Sequence, residues 1–136
     1  MARSTRVAAA SAAAIAAAVA AYALAQPRPP DYSGTLHADA AWDPATGNVT
    51  ITYTDASMAT ERVTLEVLGL ERTFQRNHTS SHFVEHVEFG GVPANGWRAH
   101  PVTFAVSHGE LGEVGIKVEV HGPGEPAGRT VYSGPR

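Results

Sequence analysis

The chain has 136 residues, enough for one domain and little more, and it contains no cysteine, which excludes disulfides, thiolate metal sites and a thiol nucleophile. Ten basic residues stand against thirteen acidic ones, for a formal charge of −3. Two of the basic residues, Arg3 and Arg6, sit in the first few positions and the only lysine is Lys117, so the body of the chain is a poor match for a nucleic-acid phosphate backbone.

The first segment has the form of a secretory signal. A short positive start (Met1 to Arg6) is followed by an uncharged, mostly alanine stretch from Val7 to Ala25. It ends Ala23-Leu24-Ala25, with the small residues that signal peptidase needs at the first and third positions before a cut. Cleavage after Ala25 would leave Gln26 as the mature terminus. The alternative is a retained membrane anchor through residues 7–25, because nineteen helical residues nearly span a hydrocarbon core of roughly 30 Å. Alanine is only weakly apolar, which favours cleavage. Either way the chain is expected to be exported, as a secreted or extracytoplasmic cell-envelope protein. The expected domains are a signal or anchor over 1–25, a proline-rich spacer over 26–32 and a β-domain over 33–136.

From Leu36 onward the pattern has period two, the signature of half-buried strands. Leu36, Ala38, Ala40 and Trp42 share a face, Asp43 to Asn48 is a turn, and Val49, Ile51 and Tyr53 alternate with threonines. After a loop from Asp55 to Thr60, Val63, Leu65 and Val67 continue into Leu68 and Leu70. Arg76 to Ser80 reads as a polar turn. Phe83, Val87 and Phe89 share the next face, and Gly90 to Gly96 is a clear break. Val102, Phe104 and Val106 pair as a hairpin with Val114, Ile116, Val118 and Val120 through a loop from Ser107 to Glu113. Gly122 to Gly128 is a further loop, and Thr130-Val131-Tyr132 a short closing strand. Each strand has one apolar face, which needs a second sheet to cover it. The expected fold is therefore all-β, a seven-stranded antiparallel two-sheet sandwich.

The stretch Ser81 to Val120 resembles the last three strands of an immunoglobulin-like or fibronectin type III-like domain. It has a strand ending at Gly90-Gly91, a Pro93…Gly96-Trp97 loop, and the hairpin built on Val102-Thr-Phe-Ala-Val106 and Val114-Gly-Ile-Lys-Val-Glu-Val120. The likeness is architectural and covers about residues 33 to 133. It implies binding, adhesion or structural assembly outside the cytoplasm, with other envelope or surface proteins or glycans as partners.

Seven histidines are many for a small chain. His82, His86 and Glu88 fall on one face of the expected strand, opposite Phe83 and Val87. His86 and Glu88, about 7 Å apart, could share a copper or zinc ion, with His121 or His37 from a neighbouring strand completing the site. His82 and His86, about 13 Å apart, are too distant for one ion. Small periplasmic copper carriers are similar in design, but they place a histidine at the mature terminus where this chain has Gln26. A blue-copper site needs a cysteine. Metal binding is thus the alternative to a plain binding module.

Signals for catalysis are weaker. No glycine-flanked serine elbow occurs, Glu85 and Glu88 point to opposite faces, and Gly109-Glu110-Leu111-Gly112 lacks the context of a phosphate cradle. No enzyme is expected. Asn48-Val49-Thr50 and Asn77-His78-Thr79 match the N-glycosylation pattern. The loops Asp55 to Thr60, Gly90 to Gly96 and Ser107 to Glu113 are the expected contact surfaces, since loops cluster at the ends of a sandwich.

Overall fold

The computed structural model describes residues 30–134; the expected leader (1–25) and most of the spacer lie outside them. Among the described residues no helix is long and apolar enough to cross a membrane. Eight strands form: β1 Leu36–Asp43, β2 Asn48–Asp55, β3 Thr60–Val67, β4 Phe74–His78, β5 His82–Glu88, β6 Val102–His108, β7 Gly112–Val118 and β8 Val131–Ser133. They make two antiparallel sheets, one in the order β1-β2-β5 and one in the order β4-β3-β6-β7-β8.

Alternation decides what is buried. Val49, Ile51 and Tyr53 from β2 meet Val63 and Leu65 from β3, Phe104 and Val106 from β6 and Ile116 from β7, all essentially inaccessible. Tyr53 stacks on Phe83 at 5.2 Å, and Phe104 closes on both rings at 6.1 and 6.5 Å from the other sheet. The threonines between Val49, Ile51 and Tyr53 face outward from the first sheet. This is the expected two-sheet sandwich, and its architecture is consistent with an immunoglobulin-like arrangement.

The strand count differs from seven because Arg76 to His78 is not a turn. These residues belong to β4, which pairs with β3 from Val63↔His78 to Val67↔Phe74. An edge strand lying mostly in solvent needs no apolar alternation, so Gln75, Arg76 and Asn77 gave no strand signal. The strand before it stops earlier than expected. β3 ends at Val67, because Gly69 turns the backbone through a φ of 80° and a side chain there would collide with the Ala99 carbonyl. Val120 lies beyond β7 but stays buried, as the chain crosses to the first sheet and His121 bridges in parallel to Ala41.

Register places the loops. Leu36↔Asp55, Thr54↔His82 and Thr60↔His108 gather the β2–β3, β4–β5 and β6–β7 connections at one pole. The Asp43–Asn48 turn and the Gly90–Gly96 loop lie at the other, where Phe89 and Gly90 amides bond the Gly47 carbonyl. There Trp97 packs on Trp42 at 5.4 Å and on Phe89 at 5.1 Å. Two of the three expected contact loops therefore share a pole and the third does not.

Candidate functional site

The shared pole is organised by Asp55. It continues the inward phase of Val49, Ile51 and Tyr53, so a carboxylate follows three core residues into the interior at 1% exposure. Every oxygen is used. Oδ1 accepts from the Ser57 amide at 2.9 Å and the Ser57 hydroxyl at 2.6 Å. Oδ2 accepts from the Ala59 amide at 3.0 Å and the Thr60 hydroxyl at 2.7 Å. Tyr53 extends the chain through its hydroxyl, 2.8 Å from Thr60 Oγ1.

His108 approaches from the other sheet. It continues the inward phase of Val102, Phe104 and Val106, and its Nε2 lies 3.0 Å from Asp55 Oδ2 and 3.0 Å from Ser57 Oγ. Its Nδ1 accepts the Glu110 and Leu111 amides at 3.1 and 3.0 Å, so the ring forms the floor of the β6–β7 turn. Two donors at Nδ1 place the proton of the neutral ring on Nε2, which donates to Asp55 and Ser57. The Gly109 amide adds a bond to the Ala59 carbonyl at 2.8 Å, and the Asp55 amide one to Ser81 at 2.8 Å. Three connections are thus tied into one rigid pole.

Burial pushes the Asp55 carboxyl up, but the hydrogen bonds from Ser57, Thr60 and Ala59 outweigh it and hold it down at about 2. Burial pushes the Tyr53 hydroxyl up, keeping it a neutral donor or acceptor. No buried side-chain nitrogen or oxygen among the described residues lacks a partner.

Ser57, His108 and Asp55 have the composition of a hydrolytic triad without its geometry. A general base presents an unprotonated nitrogen to the serine while the carboxylate holds the opposite N–H. Here one nitrogen, Nε2, faces both partners, the free lone pair is taken by two amides, and the serine proton goes to Asp55. The arrangement braces loops and leaves Ser57 without a base.

At the apex of the braced β2–β3 loop sits Met58, 75% exposed and at a φ of 55°. An unbranched residue in the left-handed region is tolerated at a modest cost, and nothing around Met58 returns that cost by packing.

His82, His86 and Glu88 do lie on one exposed face of β5. His82 Nδ1 bonds Thr54 at 3.1 Å and His86 Nδ1 bonds Thr50 at 3.2 Å, while Glu88 stands opposite Asn48. The threonine column of β2 separates His37 on β1 from His82. His121 is engaged elsewhere, 3.0 Å from Asp39. The ligand from a neighbouring strand that His86 and Glu88 would need is not brought to them. Among the described residues no group of three or more histidine, aspartate or glutamate side chains could hold a metal ion. The histidine–carboxylate contacts are single pairs: His78–Glu85 at 2.9 Å, His108–Asp55 and His121–Asp39. Of the glycosylation sequons, Asn77 is exposed on β4 with its Oδ1 bonded by Thr64, and Asn48 is half-buried at the start of β2.

Fold and pole together define a small antiparallel β-sandwich with a braced loop end. No family model, no curated protein and no solved structure matches this chain.

Proposed function

We propose that the chain is an exported, non-catalytic module of the cell envelope or its surroundings that binds another protein through the pole built on Asp55 and His108. One observation carries this reading: a buried network of charge and hydroxyls fixes two loops against each other and holds an exposed methionine in a strained conformation. Pre-organised loops lose less entropy when they bind, and a flexible thioether adapts to an apolar pocket. The leader pattern supports export. The immunoglobulin-like assignment, beyond the two-sheet architecture, belongs to the same proposal.

Site-specific photo-crosslinking tests it. A crosslinker at position 58 should give an adduct of defined mass in the envelope fraction, and one at position 92, an exposed residue of the opposite pole, should not. The adduct should be lost when His108→Ala frees the loops. Equal labelling at both positions, or none at 58, overturns the assignment of this pole.

A further inference from the structure

The outer face of the larger sheet carries an ordered charge pattern on a floor of small side chains. β3 presents Arg62, Thr64 and Glu66; β6 presents Ser107, Ala105 and Thr103; β7 presents Glu113, Gly115 and Lys117. Register sets these in three rungs: Arg62-Ser107-Glu113, Thr64-Ala105-Gly115 and Glu66-Thr103-Lys117. The corners read plus, minus, minus, plus around an uncharged centre. The floor is kept low, since a side chain at Gly115 would collide with Ser133 Oγ, and the face is a shallow trough of about 410 Å³. Among the described residues Arg62, Glu66 and Lys117 have no ion-pair partner within 4 Å. Glu113 accepts a bond from Ser107 at 3.1 Å.

This pattern is self-complementary. Half a turn about an axis along β6 lays β3 of one copy over β7 of another, and then Glu66 meets Lys117 while Arg62 meets Glu113. Half a turn about the central rung also brings opposite charges together. A twisted sheet is saddle-shaped, and a saddle turned about either axis stacks on itself. Small residues along the axis let the two backbones approach. Such a contact is isologous, the same patch serving both partners.

We infer that this face is a homodimer interface whose occupant is a second copy of this chain. The sheet is about 19 Å wide and the rungs span about 13 Å. Two such faces bury on the order of 500 Å² between their rungs, less than a standard stable interface, so the contact is weak and reversible and forms only at high protein concentration. The face adjoins the loop pole only at its Arg62-Ser107-Glu113 rung, and the inference stands whether or not that pole binds a partner.

Sedimentation velocity between about 5 and 500 µM tests it. The protein should shift from monomer to dimer across this range, more so at low salt. The doubly acidic variant Arg62→Glu/Lys117→Glu and the doubly basic variant Glu66→Lys/Glu113→Lys should each stay monomeric. Mixed in equal amounts they should re-form a dimer, which also shows that each has folded. A protein monomeric throughout, variants that associate as well as the parent, or a mixture that stays monomeric each overturns the inference.

Discussion

Asp55 and His108 end strands of different sheets and meet at 3.0 Å with neither side chain exposed to solvent. The pair joins the two layers of the sandwich and braces two loops with the same contact. Removing either member leaves buried polar groups short of a partner. His108→Ala should cost about 1–3 kcal/mol, because Asp55 loses one of its donors and the Glu110 and Leu111 amides lose their acceptor. In a urea double-mutant cycle with Asp55→Ala the two losses should fall well short of adding. Additive losses would show that the pair is not coupled.

The acid limb of stability should carry the signature of Asp55. Its folded value, about 2, lies below its ordinary value of 3.8, so its contribution is fully present above the ordinary value and disappears as pH falls through about 2. The size is about 2 kcal/mol. Asp55→Asn lacks this component, so the stability curves of parent and variant should converge between pH 5 and pH 2. Parallel curves would remove Asp55 as the cause.

Relief of strain should be visible at Met58. Met58→Gly places the residue that the left-handed conformation favours, and it should stabilise the domain by up to about 1 kcal/mol. The same change should remove the partner contact proposed for this pole. A destabilised variant would mean that the methionine packs on the fold in solution.

The core makes a simpler comparison. Phe104, at 1% exposure, touches both Tyr53 and Phe83, so Phe104→Ala should cost about 3 kcal/mol or more. Thr103→Ala, on the outer face of the same strand, should cost under about 1 kcal/mol. Equal losses would contradict the facing of β6.

Zinc and copper titrations should give weak binding without a stoichiometric site and with little rise in melting temperature. His86→Ala should change that little, since His86 bonds Thr50 and belongs to no cluster of three or more ligands among the described residues. A single micromolar site lost in His86→Ala would reinstate the metal reading.

Much of this architecture was legible in the sequence, because alternation is imposed by burial on one face. The β1–β2 hairpin, the facing of β5 and the β6–β7 hairpin all follow from it. β4 was hidden because an edge strand with polar residues on both sides has no alternation to show. The buried pair did leave a signal. Asp55 and His108 each extend a run of inward apolar positions by one polar step, and two such steps at the same pole predict a partnered pair. What spacing along one strand could not show is which side chains a neighbouring strand brings alongside. His82 and His86 meet threonines there, and the lone pair of His108 is settled by the three-residue turn between β6 and β7.

Tyr32 donates its hydroxyl to the Gly134 carbonyl at 3.1 Å, and its ring meets Tyr132 edge-on at 5.9 Å. Residues near the two ends of the described chain thus leave the fold side by side, at the pole that carries Met58. Flanking sequence attached at both points would run back from one end of the domain like the two legs of a hairpin, so repeated units could not stack into an extended rod. Tension drawn through those points would not shear the sheets. It would open the Tyr32–Gly134 clasp first and then peel the three-residue β8 from β7 one bond at a time. A domain so arranged gives way early under load and is unsuited to service as a load-bearing link.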